Sequence, residues 1–165
     1  MKNTKITVAR VIMTILCVLM IGMIFFNSAL DAVESTDMSN PFVDGINQFL
    51  KSVHIDFTVT DKMVRKTAHF AEYAALGLLL SITVYLYVSK RKEAFLMAFP
   101  LGCAVSVCDE VIQLFPKGRS CEIKDMIIDC AGILTAMLVT QLIFFLIERH
   151  KGKKEGKKSE RFIAE

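Results

Sequence analysis

The sequence predicts an all-α integral membrane protein: a bundle of four transmembrane helices, with room for a short amphipathic helix in the first outer loop. Three observations carry that prediction. The 165 residues are 53% hydrophobic, and the mean hydropathy of +0.47 lies above that of an ordinary soluble domain. The apolar residues are gathered into blocks, since Val11–Leu30, Tyr73–Ser89, Ala94–Cys108 and Cys130–Ile147 contain no charged residue. Finally, no polar helical face accompanies those blocks, which argues against four helices buried in a soluble core. A hydrocarbon core of about 30 Å takes roughly 20 residues of helix. Extended over their polar edges, the last three blocks become spans near 67–89, 94–115 and 126–147.

The first element covers residues 1–30. Lys2, Lys5 and Arg10 precede its apolar block as they would in a secretory signal. The block is longer than a signal's apolar region, however, and NSALDA offers no clean pair of small residues for cleavage. It therefore reads as a retained span. Residues 31–61 form the first outer loop, with Asp31, Glu34, Asp37, Asp44, Asp56 and Asp61 set against Lys51. Up to Asn40 the loop is polar and expected to be irregular. After Asn40-Pro41, Val43, Ile46, Phe49, Leu50 and Val53 recur at helical spacing, as in a helix lying on the outer leaflet or a lid packed on the span ends. Thr60 or Asp61 is placed to cap the next helix.

Residues 62–147 hold the other three spans. Pro100 is expected to kink the third. Gly77 and Ser81 in the second, and Gly132 and Ala136 in the fourth, have the small-xxx-small spacing of close helix contacts. Residues 148–165, rich in Lys and broken by Gly, read as a basic disordered tail attracted to anionic headgroups. The basic N-terminus, the Lys90-Arg91-Lys92 turn and this tail fall on one side of a four-span protein. Both termini are therefore expected in the cytoplasm. No aromatic residues interleave the tail's lysines, so no nucleic-acid partner is expected. The five cysteines match no zinc spacing.

In that topology the ionisable residues inside the spans converge. The second span begins with Lys66, His69, Glu72 and Tyr73. The third ends with Asp109, Glu110 and Gln113. The fourth begins with Asp125 and Asp129, and Arg119 lies in the turn before it. At 1.5 Å per residue these stretches cover about 6 to 9 Å, within roughly the outer third of the bilayer core. Charge in oil is costly, so these groups should face one another and build a polar pocket open to the outside.

KTAHFAEYAALGLLL, DEVIQLFPKGRSCEIKDMIIDCAG and FFNSALDAVESTDMSN together resemble the VanZ-like family, small bacterial membrane proteins named for a teicoplanin-resistance accessory protein. The resemblance runs from about Phe25 to Leu138. It implies a multi-pass protein of the bacterial plasma membrane that contributes to survival under a glycopeptide. It supplies no biochemical step. Asn27 and Cys121 depart from the family pattern, and neither is expected to touch the ionisable set.

Three readings of the pocket remain open. A structural network would have Lys66 and Arg119 pair with the carboxylates and orient the helices. A binding site would have the same cations hold a lipid-linked or otherwise anionic envelope ligand, with transport requiring a homo-oligomer. An enzyme acting on a lipid-linked substrate would use His69 with Glu72 or Asp109, although no catalytic motif marks the chain and no catalytic residue can be assigned. His69 with the carboxylates could also hold a divalent cation, but with a single histidine in the set no metal and no cofactor are expected.

Overall fold

In a computed structural model, the structure describes residues 2–163, with side chains described from Thr4 to His150. The described residues form five helices and no strand: α1 (Lys2–Ser28), α2 (Ala32–Ser52), α3 (Asp61–Val88), α4 (Arg91–Ile112) and α5 (Ile123–Ile163). Four of them are long and apolar enough to cross a membrane, over Thr4–Ser28, Asp61–Val88, Arg91–Ile112 and Ile123–His150. The chain is a multi-pass membrane protein. The second, third and fourth of these helices begin a few residues before the predicted 67, 94 and 126, and the third ends at Ile112, short of 115.

The central helix is α3, which packs against each of the other four. Its seam with α5 is the tightest. A Cβ on Gly132 would lie 2.5 Å from the Phe70 carbonyl oxygen, and one on Gly77 would lie 2.7 Å from that of Ile133. Only glycine lets two backbones approach so closely, so the small-residue spacing read from the sequence becomes a rigid joint. Around it Ile24, Tyr73, Leu76, Leu80, Ala98, Ile133 and Met137 form the buried core. Pro100 lies inside α4, which runs on as helix past it.

Two stretches differ from their sequence-based reading. Residues before Asn40, expected to be irregular, are already helical from Ala32. The reason is local: the Glu34 carboxylate accepts from the Asp31 N–H at 3.3 Å, so the chain enters the helix nine residues before Pro41. Of the apolar residues expected on one face, Ile46 and Phe49 are exposed, Val43 and Leu50 are half-buried, and Val53 lies just past the helix end. The backbone of α5 likewise continues as helix to Ile163, across the tail whose composition predicts disorder. Lys and Glu are good helix formers, and no proline interrupts them there.

The connections tie α2 to the bundle. Thr60 caps α3, its hydroxyl accepting from the Met63 N–H at 3.4 Å. Asn47 holds Val59 with both ends of its amide, accepting from the N–H at 2.8 Å and donating to the carbonyl at 2.9 Å. Ser39 donates to the Asp61 carboxylate. On the other flank, the Lys117 N–H donates to Asp31 Oδ1 at 2.8 Å, and the Lys117 carbonyl accepts from the Ala32 N–H at 3.1 Å. Gly118 then turns the chain with φ +77°, a conformation that glycine adopts without strain. That turn delivers Arg119 to the same end of the bundle.

Candidate functional site

At this polar end the ten residues singled out in the sequence divide into three groups. Lys66 and Asp125 form an ion pair between α3 and α5, with Glu122 3.7 Å from the same ammonium and 3.8 Å from that of Lys62. All four side chains keep some contact with solvent. The pair is a rim, matched in charge.

Beneath it, Asp109, Glu110 and Asp129 are 0% exposed, and Tyr73 and Gln113 are buried with them. The Glu110 carboxylate accepts from the backbone N–H of Glu122 at 2.8 Å, where α5 is about to begin. It satisfies one of the free donors at that helix end and complements the helix dipole, so its role is local and structural. Gln113 turns to Asp109, one turn back along α4, and donates to Oδ2 at 3.3 Å. Ser106 donates to Asp129 Oδ2 at 2.8 Å. The other oxygens, Asp109 Oδ1 and Asp129 Oδ1, are buried without a hydrogen-bond partner, as is His69 Nδ1. His69 Nδ1 lies 3.6 Å from Asp129 Oδ1. Donor atoms of His69, Asp109 and Asp129 all fall within 4.8 Å of one another, which makes them the residues able to hold a metal ion.

The third group flanks the floor. Glu72 on α3 accepts from Asn27 Nδ2 on α1 at 2.8 Å. Asn27, expected to stand clear of the ionisable residues, is thus a direct partner of one of them. Arg119 donates from Nη1 to the Ser28 carbonyl at 3.1 Å, at the C-terminus of α1, where a cation is favoured. Among the described residues it makes no ion pair within 4 Å, and its Nε is buried without a partner. The pairing of Arg119 with carboxylates that the structural-network reading calls for is absent within 4 Å among the described residues, its guanidinium bonding the α1 end instead. Burial, with the like charge of Arg65 nearby, holds its pKa below the usual arginine value.

Two cavities meet here. One, about 290 Å³, is a polar chamber lined by Lys66, His69, Gln113, Arg119 and Asp125 among others. The second, about 160 Å³, is mainly apolar and opens between α1, α2 and α3, where Leu30, Met38, Phe42, Val64 and Ala68 line it. Arg65, His69 and Arg119 line both.

Sequence reasoning missed Asn27, Ser106 and Glu122 as parts of the site. Ser106 carried a signal, since Ser106, Asp109 and Gln113 follow the spacing of one helical face on α4. Asn27 carried none, because its partner Glu72 is 45 residues away.

A family model described as VanZ/LLP1 matches residues 13–145, most of the chain. No curated protein and no solved structure matches it. The chain belongs to the VanZ/LLP1 family.

Proposed function

We propose that this member of the VanZ/LLP1 family binds an anionic amphiphile of the cell envelope at the polar end of its bundle, and that this end faces outward across a bacterial plasma membrane. The observation that carries the reading is Arg119. Its guanidinium borders the polar chamber and the apolar cavity at once, meets no carboxylate within 4 Å among the described residues, and keeps a buried N–H free. A desolvated guanidinium short of an anion is a receptor for one, and its planar fork suits phosphate or carboxylate oxygens. Arg65 adds a second positive charge on the same two walls. The apolar cavity beside them takes the ligand's hydrocarbon, and α2 covers it.

A lipid-linked wall precursor, a phospholipid or a lipoglycopeptide all combine an acidic head with an apolar tail. Engagement of such a ligand at the outer surface is how a contribution to teicoplanin tolerance would arise. The outward orientation follows from the basic segments, Lys2 to Arg10, Lys90 to Lys92 and Arg149 onward, which all then lie in the cytoplasm.

Native mass spectrometry of the detergent-purified chain, followed by titration with short-chain phosphatidylglycerol and phosphatidylcholine, tests the binding. The anionic lipid should bind at least tenfold tighter, and Arg119→Ala should remove that preference while the protein stays folded. Equal binding of the two lipids would overturn the reading. Impermeant thiol reagents on intact cells test the orientation: Cys121 and a cysteine at the exposed Gln48 should react, and one at Ser159 should not.

A further inference from the structure

We propose that His69, Asp109 and Asp129 bind one divalent cation of the zinc or manganese class at the floor of the polar chamber, with a coordination position left open toward that chamber. The inference reverses the expectation drawn from counting histidines, and it rests on how the side chains are held. Each aspartate is fixed by one oxygen: Ser106 donates to Oδ2 of Asp129 at 2.8 Å, and Gln113 to Oδ2 of Asp109 at 3.3 Å. That leaves the two Oδ1 atoms buried without a partner, and His69 Nδ1 buried without one beside them. Metal-binding carboxylates are oriented in this way, with the second oxygen held by an outer donor so that the first is presented to the ion.

Spacing fits as well. His69 Nδ1 and Asp129 Oδ1 are 3.6 Å apart, and all three residues bring a donor atom within 4.8 Å of the others. Two ligands at about 2.0–2.2 Å from one ion stand up to roughly 4 Å apart, so small side-chain rotations close the set. Charge points the same way. Two fully buried carboxylates have no Lys or Arg nitrogen within 4 Å among the described residues, whereas the rim carboxylates above them do. In the metal-free chain the imidazole N–H and the Tyr73 O–H are the donors at hand for the two Oδ1 atoms. A divalent ion answers all three orphans at once. Tyr73, whose hydroxyl is buried and unpartnered next to the same carboxylates, completes the surroundings.

Imidazole nitrogen with two carboxylates selects a borderline cation over magnesium or calcium, and three protein ligands leave room for an exchangeable oxygen. His69 lines the polar chamber, so that position faces the place where an anionic oxygen would arrive. Ion binding itself requires no amphiphile.

The test uses the full chain in lipid-free detergent, stripped with a chelator and titrated with Co²⁺ and Mn²⁺. Co²⁺ reports the ligands by its visible spectrum, which separates a nitrogen and oxygen site from the neighbouring thiols Cys103 and Cys130. One ion per chain is expected, with a spectrum free of thiolate charge transfer. Asp109→Asn and Asp129→Asn should each weaken it at least 100-fold, and Arg91→Ala at the opposite end of the bundle should leave it unchanged. Ser106→Ala keeps all three ligands and should weaken it about tenfold, which decides the matter if the aspartate variants fail to fold. Absence of a bound ion, thiolate ligation, or affinities indifferent to these substitutions would each overturn the proposal.

Discussion

The two ends of this bundle carry similar side chains and treat them in opposite ways. At the basic end, Arg91 meets Glu148 at 3.1 Å, Lys90 meets Glu93, and Arg10 donates to the Leu86 carbonyl at 2.9 Å while resting on the Tyr87 ring. Each of these three cations is answered within the chain and remains partly in water. At the polar end, among the described residues, Arg119 meets no carboxylate within 4 Å, while Asp109 and Asp129 lie fully buried with no Lys or Arg nitrogen within 4 Å, only His69 standing beside Asp129. Opposite charges that could have neutralised one another are held apart by the helices that carry them. A fold built only for stability gains nothing from that separation, because unpaired buried charge is costly. The basic end is an anchor. On the reading proposed above, the polar end receives occupants that arrive from outside the chain.

The largest way to break this contrast is to open the seam that fixes the buried acids. Gly132→Ala places a Cβ 2.5 Å from the Phe70 carbonyl and forces α3 and α5 apart. It should cost about 3 kcal/mol, at the upper end of ordinary overpacking. Gly22→Ala has open space around it and should stabilise by up to about 1 kcal/mol. Thermal unfolding in detergent reads both, and equal effects would remove the seam from the account.

Paired arginine variants set the two ends directly against each other. Arg119→Ala should cost about 1.5–3 kcal/mol through its charged hydrogen bond to the Ser28 carbonyl, yet leave a folded protein that has lost anionic-lipid binding. Arg91→Ala should cost no more than about 1 kcal/mol and leave that binding intact. Loss of lipid binding in both would mean that the cations serve the fold alone.

Asp129→Asn sharpens the difference from the other side. In metal-free protein it replaces a buried carboxylate, of which one oxygen is held by Ser106 and the other has no hydrogen-bond partner. It should raise stability by about 0.5–2 kcal/mol, the gain expected where function has been built at the expense of stability. A lower melting temperature would show that the carboxylate is satisfied within the fold. Smallest of all is Lys66→Ala on the half-exposed rim, where about 1 kcal/mol or less is expected. A larger loss would make the rim part of the structural core.

Much of the fold was legible because bilayer thickness acts on local sequence. Four uncharged blocks can only be spans, and the small residues at 77 and 132 marked where two of them touch. Two local departures, the early start of α2 and the helical continuation of α5, came from giving composition more weight than capping and propensity. The convergence of ten polar residues was also legible, since topology and helical rise place them at one depth.

What each of those residues does was decided only in three dimensions. Sequence spacing put Asp125 and Asp129 on one face, and it could not show that one would meet a lysine and the other an imidazole. It grouped Glu110 with Gln113, whereas the first caps α5 and the second orients Asp109. It offered the carboxylates as partners for Arg119 on one reading, and the turn at Gly118 delivered it to the end of α1 instead. The division has a physical cause. Burial in a membrane is set by apolar runs that the sequence displays in order, but the pairing of charges is settled over distances of 3 to 4 Å. Those distances depend on the rotation and close approach of whole helices, which a glycine seam between residues 55 positions apart determines.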